Sequence, residues 1–155
     1  MFAPYRSPTA SYRRLDVETG VSTNDPHRLV AMLYDGVLER IAQARQALKT
    51  GDVSTKCEAV GRAMRILEEG LKASLDMRGG ELAANLEALY AYAGMRLLEA
   101  NLRNDDAILV EVAGLIEPLR DAWQQIGVQL RAAARPMMPP PVPAAGGAAR
   151  RAYAA

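Results

Sequence analysis

The stretch GELAANLEALYAYAGMRLLEANLRND, residues 80–105, decides how this chain folds. Written as a helix, it shows two apolar stripes whose residues recur at spacings of three and four, the period of an α-helix. The first stripe consists of Leu82, Leu86, Leu89, Ala93, Leu97 and Ala100, and the second of Ala84, Ala88, Ala91, Met95, Leu98 and Leu102. A helix that lies on one core needs only one stripe. The pattern therefore predicts either a central helix of a bundle or a helix with one face reserved for a partner.

The composition favours a helical domain without a nucleic-acid partner. The chain has 155 residues, of which 50% are hydrophobic but only 5% aromatic, a mixture that suits helix packing better than a β-sandwich. With 19 basic and 18 acidic residues the net charge is +1, so neither nucleic acid nor an anionic membrane is an expected partner. A single cysteine forms no intrachain disulfide. No apolar run has the length of a signal peptide or a membrane span, so we expect no membrane insertion and a location in the cytosol.

Capping residues divide the chain into four helices. Asp25 followed by Pro26 is a helix start, and Gly51 suits the end of that helix near residue 49. Asp52 or Ser54 caps a second helix over residues 54–77, which Gly79-Gly80 ends. The third helix is the opening stretch. Asn104 tolerates the left-handed conformation, and Asp105 caps a fourth helix without a loop between them.

Each of the other three helices also has an apolar stripe. The stripe of the first consists of Val30, Leu33, Tyr34, Val37, Ile41, Ala44 and Leu48. The second helix has two, Cys57, Val60, Met64, Leu67, Leu71 and Leu75, and a small-residue stripe of Ala59, Ala63, Ile66, Gly70, Ala73 and Met77. The fourth has Ile108, Val112, Leu115, Leu119, Ala122, Ile126 and Leu130, with Trp123 beside them. Pro118 removes the hydrogen bond to the carbonyl of Gly114, so we expect a bend there.

Amphipathic helices joined by short links predict an all-α fold, an antiparallel up-down four-helix bundle over residues 25–133. Residues 1–24 contain Pro4, Pro8 and Gly20 together with scattered apolar residues, and are predicted to form a cap or strap on the bundle. Residues 134–155 are rich in Pro, Ala and Gly without a period and are predicted to be a disordered tail.

The residues that catalysis or metal binding would need are missing. His27 is the only histidine, has no metal-ligand partner at a suitable spacing, and is interpreted as a surface or capping residue. Cys57 lies on an apolar stripe and is interpreted as a small core residue. No phosphate-binding loop follows a strand. We therefore expect no catalytic residue, no cofactor and no metal, and a function in binding.

Several strings, in their order and spacing, resemble the flagellar secretion chaperone FliS family. They are Tyr12 with Val17-Glu18, DPHRLVAMLYDG (25–36), GGELAANLEALYAY (79–92), ANLRND (100–105) and Ala122-Trp123. The resemblance covers residues 12–130. It departs at Asn24-Asp25, where the family has a small residue and serine, and at Pro118, and the proline-rich tail lies outside it.

The resemblance implies a four-helix bundle of the bacterial cytosol that binds the disordered C-terminal segment of flagellin, here called the client. Such a chaperone prevents premature polymerisation and assists delivery to the flagellar type III secretion apparatus. An export-gate component or regulatory proteins are further partners to consider. A second hypothesis stays open: a helical adaptor that sequesters a regulatory protein.

The client would be hidden by a helix-in-groove contact on small or adaptable residues of the second and third helices. We expect the Leu82 stripe of the third helix to be core and the Ala84 stripe to face the client or a tightly packed neighbour. The predicted client-binding residues are Tyr12, Val17, Ala63, Ile66, Ala73, Ala84, Ala88, Ala91, Met95 and Leu98.

Overall fold

A computed structural model describes residues 25–134, which form four α-helices: α1 (Pro26–Thr50), α2 (Val53–Arg65), α3 (Gly80–Arg103) and α4 (Asp106–Ala134). The predicted cap of residues 1–24 lies outside the described residues. Of the predicted tail, residues 134–155, only Ala134 is described, as the last residue of α4. A π-helical turn, Ile66–Lys72, continues α2, and a short 3₁₀ turn, Met77–Gly79, precedes α3. The second helix is therefore not the continuous α-helix that we predicted over residues 54–77.

Local capping sets the two ends of α1, the start of α2 and the junction of α3 and α4 where we predicted them. Asp25 accepts a hydrogen bond from the backbone N–H of Arg28 at 3.2 Å, and Asp52 accepts one from Thr55 at 3.1 Å. Gly51 ends α1 with φ +73°, and Asn104 ends α3 with φ +51°. Asp105 then accepts a hydrogen bond from Ala107 N–H at 2.9 Å, so α4 begins at once.

The four helices pack as an antiparallel bundle in which each touches its neighbours in sequence and α4 closes on α1. The ties between α1 and α4 show the direction: Nε2 of His27 lies 2.7 Å from the carbonyl oxygen of Trp123, and Arg45 Nε lies 2.7 Å from Asp106 Oδ1. One further hydrogen bond crosses the bundle diagonally, joining the hydroxyls of Tyr34 on α1 and Tyr90 on α3 at 2.5 Å.

The core lies along the bundle axis and differs from the predicted stripes on three helices. Cys57 on α2 is exposed, and Lys56 takes the buried position beside it. On α3, Leu82 is 69% exposed although we expected it in the core. Leu86 and Leu89 are only half-buried, and the side that packs inward consists of Ala83, Tyr90, Ala93, Leu97 and Ala100.

The end of α4 is more open than its apolar pattern suggested. Ala122, Ile126 and Leu130 were predicted to face the core, but all three are exposed. The buried residues of this helix are Ile108, Leu109, Val112, Ile116 and Gly127. The helix continues through Pro118, which is exposed, as is Gly114, whose carbonyl the proline leaves without its helical partner.

Candidate interaction surface

One face of α3 is apolar and uncovered along its length in the described part of the chain. Since α3 packs on α2, the π turn and α4, it buries the Tyr90 side and leaves the opposite side open. On that open side Met95 is 70%, Leu98 46% and Leu102 75% exposed. An outer helix face in a bundle is ordinarily polar, so an apolar one points to a contact with something else. We call the following exposed residues the α3 stripe: Ala84, Ala88, Ala91, Met95, Leu98 and Leu102.

A groove of about 490 Å³ runs between the α3 stripe and the α2–π segment. Its α3 wall is formed by Ala91, Gly94, Met95 and Leu98, none of which is charged. Tyr90 and Leu67, both buried core residues, also line the groove. The opposite wall belongs to Met64, Arg65, Glu68 and Glu69. One wall is therefore apolar and the other charged.

The π turn explains how the second helix reaches this position. Gly70 lies inside the turn, and a Cβ atom there would come 2.9 Å from Cδ2 of Leu33 on α1. The missing side chain thus lets the π turn and α1 pack closely, while Leu67 and Leu71 face the core. π-helical turns of this kind recur at functional sites. This one presents Glu68 and Glu69 at the rim of the groove.

The structure separates the predicted client-binding residues into four groups. The five on α3, which are Ala84, Ala88, Ala91, Met95 and Leu98, are exposed and share the α3 stripe. Ala73 is exposed just after the π turn. Ala63 is 0% exposed and lies in the core, and Ile66 is half-buried against Gly36, so neither belongs to the open face that we predicted. Tyr12 and Val17 lie outside the described residues.

A second groove, of about 720 Å³, lies between the start of α1 and the end of α4. His27 lines this groove and stacks on Trp123, with ring centroids 4.6 Å apart and planes 4° from parallel. Because a carbonyl only accepts, Nε2 of His27 donates to the Trp123 carbonyl, and Nε1 of Trp123 donates to the His27 carbonyl at 2.7 Å. His27 thus joins α1 to α4 through this stacking and these hydrogen bonds, here called the His27–Trp123 tie, and does not cap a helix. Sequence reasoning missed it because nothing local links residues 96 positions apart.

Polar ties hold the other helix pairs around this surface. Lys56 is 3% exposed, and its Nζ donates to the carbonyl of Asn101 at 2.8 Å and to the side chain of Asn104. The lysine therefore supplies a hydrogen-bond donor to a backbone carbonyl at the C-terminal end of α3. Arg96 on α3 pairs with Glu111 on α4 at 2.6 Å, and this hydrogen-bonded guanidinium lowers the pKa of the Glu111 carboxyl. Burial raises the pKa of both Tyr34 and Tyr90.

The described residues offer no arrangement for metal chemistry. Across residues 25–134, no group of three or more His, Cys, Asp or Glu side chains could hold a metal ion. Among those same residues, no helix is both long and apolar enough to cross a membrane. The geometry that remains is an apolar face and its groove, which suits the binding of another chain.

Comparison with known proteins identifies the family of the chain. The sequence model of the family described as flagellar protein FliS matches residues 8–130. The chain is 46% identical to the flagellar secretion chaperone FliS of Salmonella typhimurium over 117 residues, 75% of this chain and 87% of the relative. It is 43% identical to the flagellar secretion chaperone FliSB of Pseudomonas aeruginosa over 116 residues, 74% of this chain and 91% of the relative.

A third relative shows the same likeness. The chain is 40% identical to the flagellar secretion chaperone FliS of Bacillus subtilis over 108 residues, 70% of this chain and 80% of the relative. The family-model match contains α1, α2 and α3 and all but the last four residues of α4. The chain belongs to the FliS family, whose members are flagellar secretion chaperones and not enzymes.

Proposed function

We propose that this protein is an export chaperone which binds the disordered C-terminal segment of flagellin in the cytosol. Binding prevents premature polymerisation and assists delivery of flagellin to the flagellar type III secretion apparatus. The observation that supports this most directly is the α3 stripe, an apolar helix face that no described part of the chain covers. Membership of the chain in the FliS family supports a role in flagellar secretion.

The mechanism follows from the apolar side chains of the client that the α3 stripe can shield from water. A flagellin segment that would pack into a filament must expose apolar side chains before assembly. Laid against the α3 stripe as an amphipathic helix, those side chains leave water, and the alanines let the client backbone approach closely. Met95 adapts its shape to an imperfect fit because its side chain is flexible and polarisable.

The same contact allows the client to be released. A disordered client must be ordered when it binds, and this entropic cost lowers the affinity per unit of buried area. The complex can therefore be specific without being permanent, as a chaperone that passes its client to an export apparatus requires. Nothing in this step needs nucleotide or metal.

Calorimetry with the purified full-length protein and the C-terminal segment of flagellin from the same bacterium tests the proposal. We expect binding at one to one with a negative heat-capacity change, the mark of apolar burial coupled to folding. Leu98→Glu should weaken binding at least about tenfold, since it places a charge in a contact that buries apolar surface.

The matched control is Ile126→Glu on α4. Ile126 is 44% exposed against 46% for Leu98, but it lines none of the grooves described above. This control should bind as the wild type does. Absence of binding at micromolar concentration, or equal losses in the two variants, would contradict the proposal. A pull-down from motile cells that recovers a regulatory protein instead of flagellin would favour the adaptor hypothesis.

A further inference from the structure

The groove beside the α3 stripe has charges on one wall only. Three charged residues line the α2–π wall: Arg65, Glu68 and Glu69. Glu68 is already paired, with Nζ of Lys72 at 3.0 Å. Arg65 and Glu69 are exposed and form no ion pair with any other residue of the described bundle. Two unpaired charges of opposite sign therefore border an apolar groove.

The sequence order and the local backbone keep these two charges apart. Arg65 is the last residue of α2 and Glu69 lies four residues later, inside the π turn. A base that precedes an acid by four residues is the weaker order for an ion pair within a helix. The wider π turn also changes the angle between residues four positions apart. Both side chains are thus available to a partner in the groove.

We infer that the groove receives a client helix with a defined charge pattern, an inference that rests on the proposed function. The apolar stripe of this helix contacts Ala91, Met95 and Leu98. On the flank toward α2 it carries an acidic residue opposite Arg65 and a basic residue about one turn away opposite Glu69. The apolar wall alone would accept a helix in either direction. The ordered charges on the other wall select one direction and one rotation about the helix axis, since complementary charges fix register more than affinity.

Charge reversal in the chaperone tests the inference. Arg65→Glu and Glu69→Arg should each weaken binding of the flagellin segment by about threefold to tenfold at low salt, because each replaces an attraction by a repulsion at a partly exposed site. The loss should shrink as the ionic strength is raised, whereas the loss from Leu98→Glu should persist. Neither reversal should change the unfolding midpoint much, since both residues are exposed.

Glu39→Arg is the matched control for Glu69→Arg. Glu39 is exposed on α1, lines neither of the two described grooves, and its reversal changes the net charge by the same amount. This variant should bind as the wild type does. In the client, reversing each acidic and basic residue in turn should identify one basic residue whose change to glutamate restores binding to Glu69→Arg but weakens binding to the wild type.

The outcomes separate the inference from the proposed function. If Leu98→Glu abolishes binding while Arg65→Glu and Glu69→Arg bind like Glu39→Arg at low salt, the charge pattern is refuted and the chaperone function stands. If no client reversal restores Glu69→Arg, the inference is likewise refuted. If the wild type fails to bind the flagellin segment at all, both fall together.

Discussion

Replacing Gly127 by alanine tests the tie between α1 and α4. A Cβ atom at Gly127 would lie 2.2 Å from Cε1 and 2.8 Å from Nδ1 of the His27 ring. No side chain fits at that distance, so the ring must leave its place. Its stacking on Trp123 and the hydrogen bond from Nε2 to the Trp123 carbonyl would then be lost.

Opposing effects determine how much Gly127→Ala changes the free energy of unfolding. Loss of the aromatic stack costs about 0.5–1.5 kcal/mol, and loss of the hydrogen bond about as much again. Against this, alanine in a helix interior is about 1 kcal/mol better than glycine. We therefore expect Gly127→Ala to lower the free energy of unfolding by up to about 2 kcal/mol. In a His27→Ala background the three atoms nearest to that Cβ are absent, and the same substitution should raise the free energy of unfolding by about 1 kcal/mol.

Urea unfolding followed by circular dichroism of the four proteins of this cycle measures the coupling. Gly114→Ala in the same helix is the control, because a Cβ there meets no atom within 4 Å. It should stabilise the protein in both backgrounds. Stabilisation by Gly127→Ala in the presence of His27 would show that the ring does not occupy the position seen here, and would refute the reasoning.

Four further outcomes can be measured on the same protein. Tyr34→Phe alone leaves the buried Tyr90 hydroxyl without its partner and should lower the free energy of unfolding by about 1–3 kcal/mol, whereas changing both tyrosines to Phe should cost less. Because burial raises the pKa of both phenols, the stability of the wild type should be full below about pH 10 and fall above it. This fall should be smaller in the double variant. Lys56→Met should cost about 1–3 kcal/mol in urea unfolding by leaving the end of α3 unsatisfied, and little change would show that water replaces the lysine. Ala88→Leu should leave unfolding unchanged because Ala88 is exposed, but weaken flagellin binding by holding the client helix away; normal binding would remove Ala88 from the contact. Deleting residues 1–17 should change flagellin affinity with little change in melting temperature, and the reverse result would make that segment a packing strap.

Most helix ends and the fold class could be predicted from the sequence because capping and link length depend on near neighbours. Asp25, Asp52 and Asp105 each accept a hydrogen bond from a backbone N–H two or three residues later, and Gly51 adopts the left-handed conformation that its missing side chain permits. Short links force consecutive helices to lie antiparallel, which predicts an antiparallel bundle. The sequence alone was enough to find these features.

The π turn and the aromatic tie could not be predicted, because each depends on a contact between distant parts of the chain. Gly70 accommodates Leu33 on another helix, and Gly127 accommodates His27 nearly a hundred residues away. Gly127 offered a signal, since a glycine inside a helix often marks a close approach. The sequence could not say what approached it.

The assignment of the two α3 faces shows most clearly where periodicity is insufficient. Both stripes obey the helical period. We expected the Leu82 stripe to be the core, and that expectation was wrong for Leu82. The bundle does bury Ala93, Leu97 and Ala100 of that stripe. On the other face it leaves Met95 and Leu102 in water. A helix that leaves Met95, Leu98 and Leu102 exposed does not gain all the burial that its composition allows. Such an arrangement makes physical sense when the outer face is buried at another time, by another chain. This is why we place the client on α3.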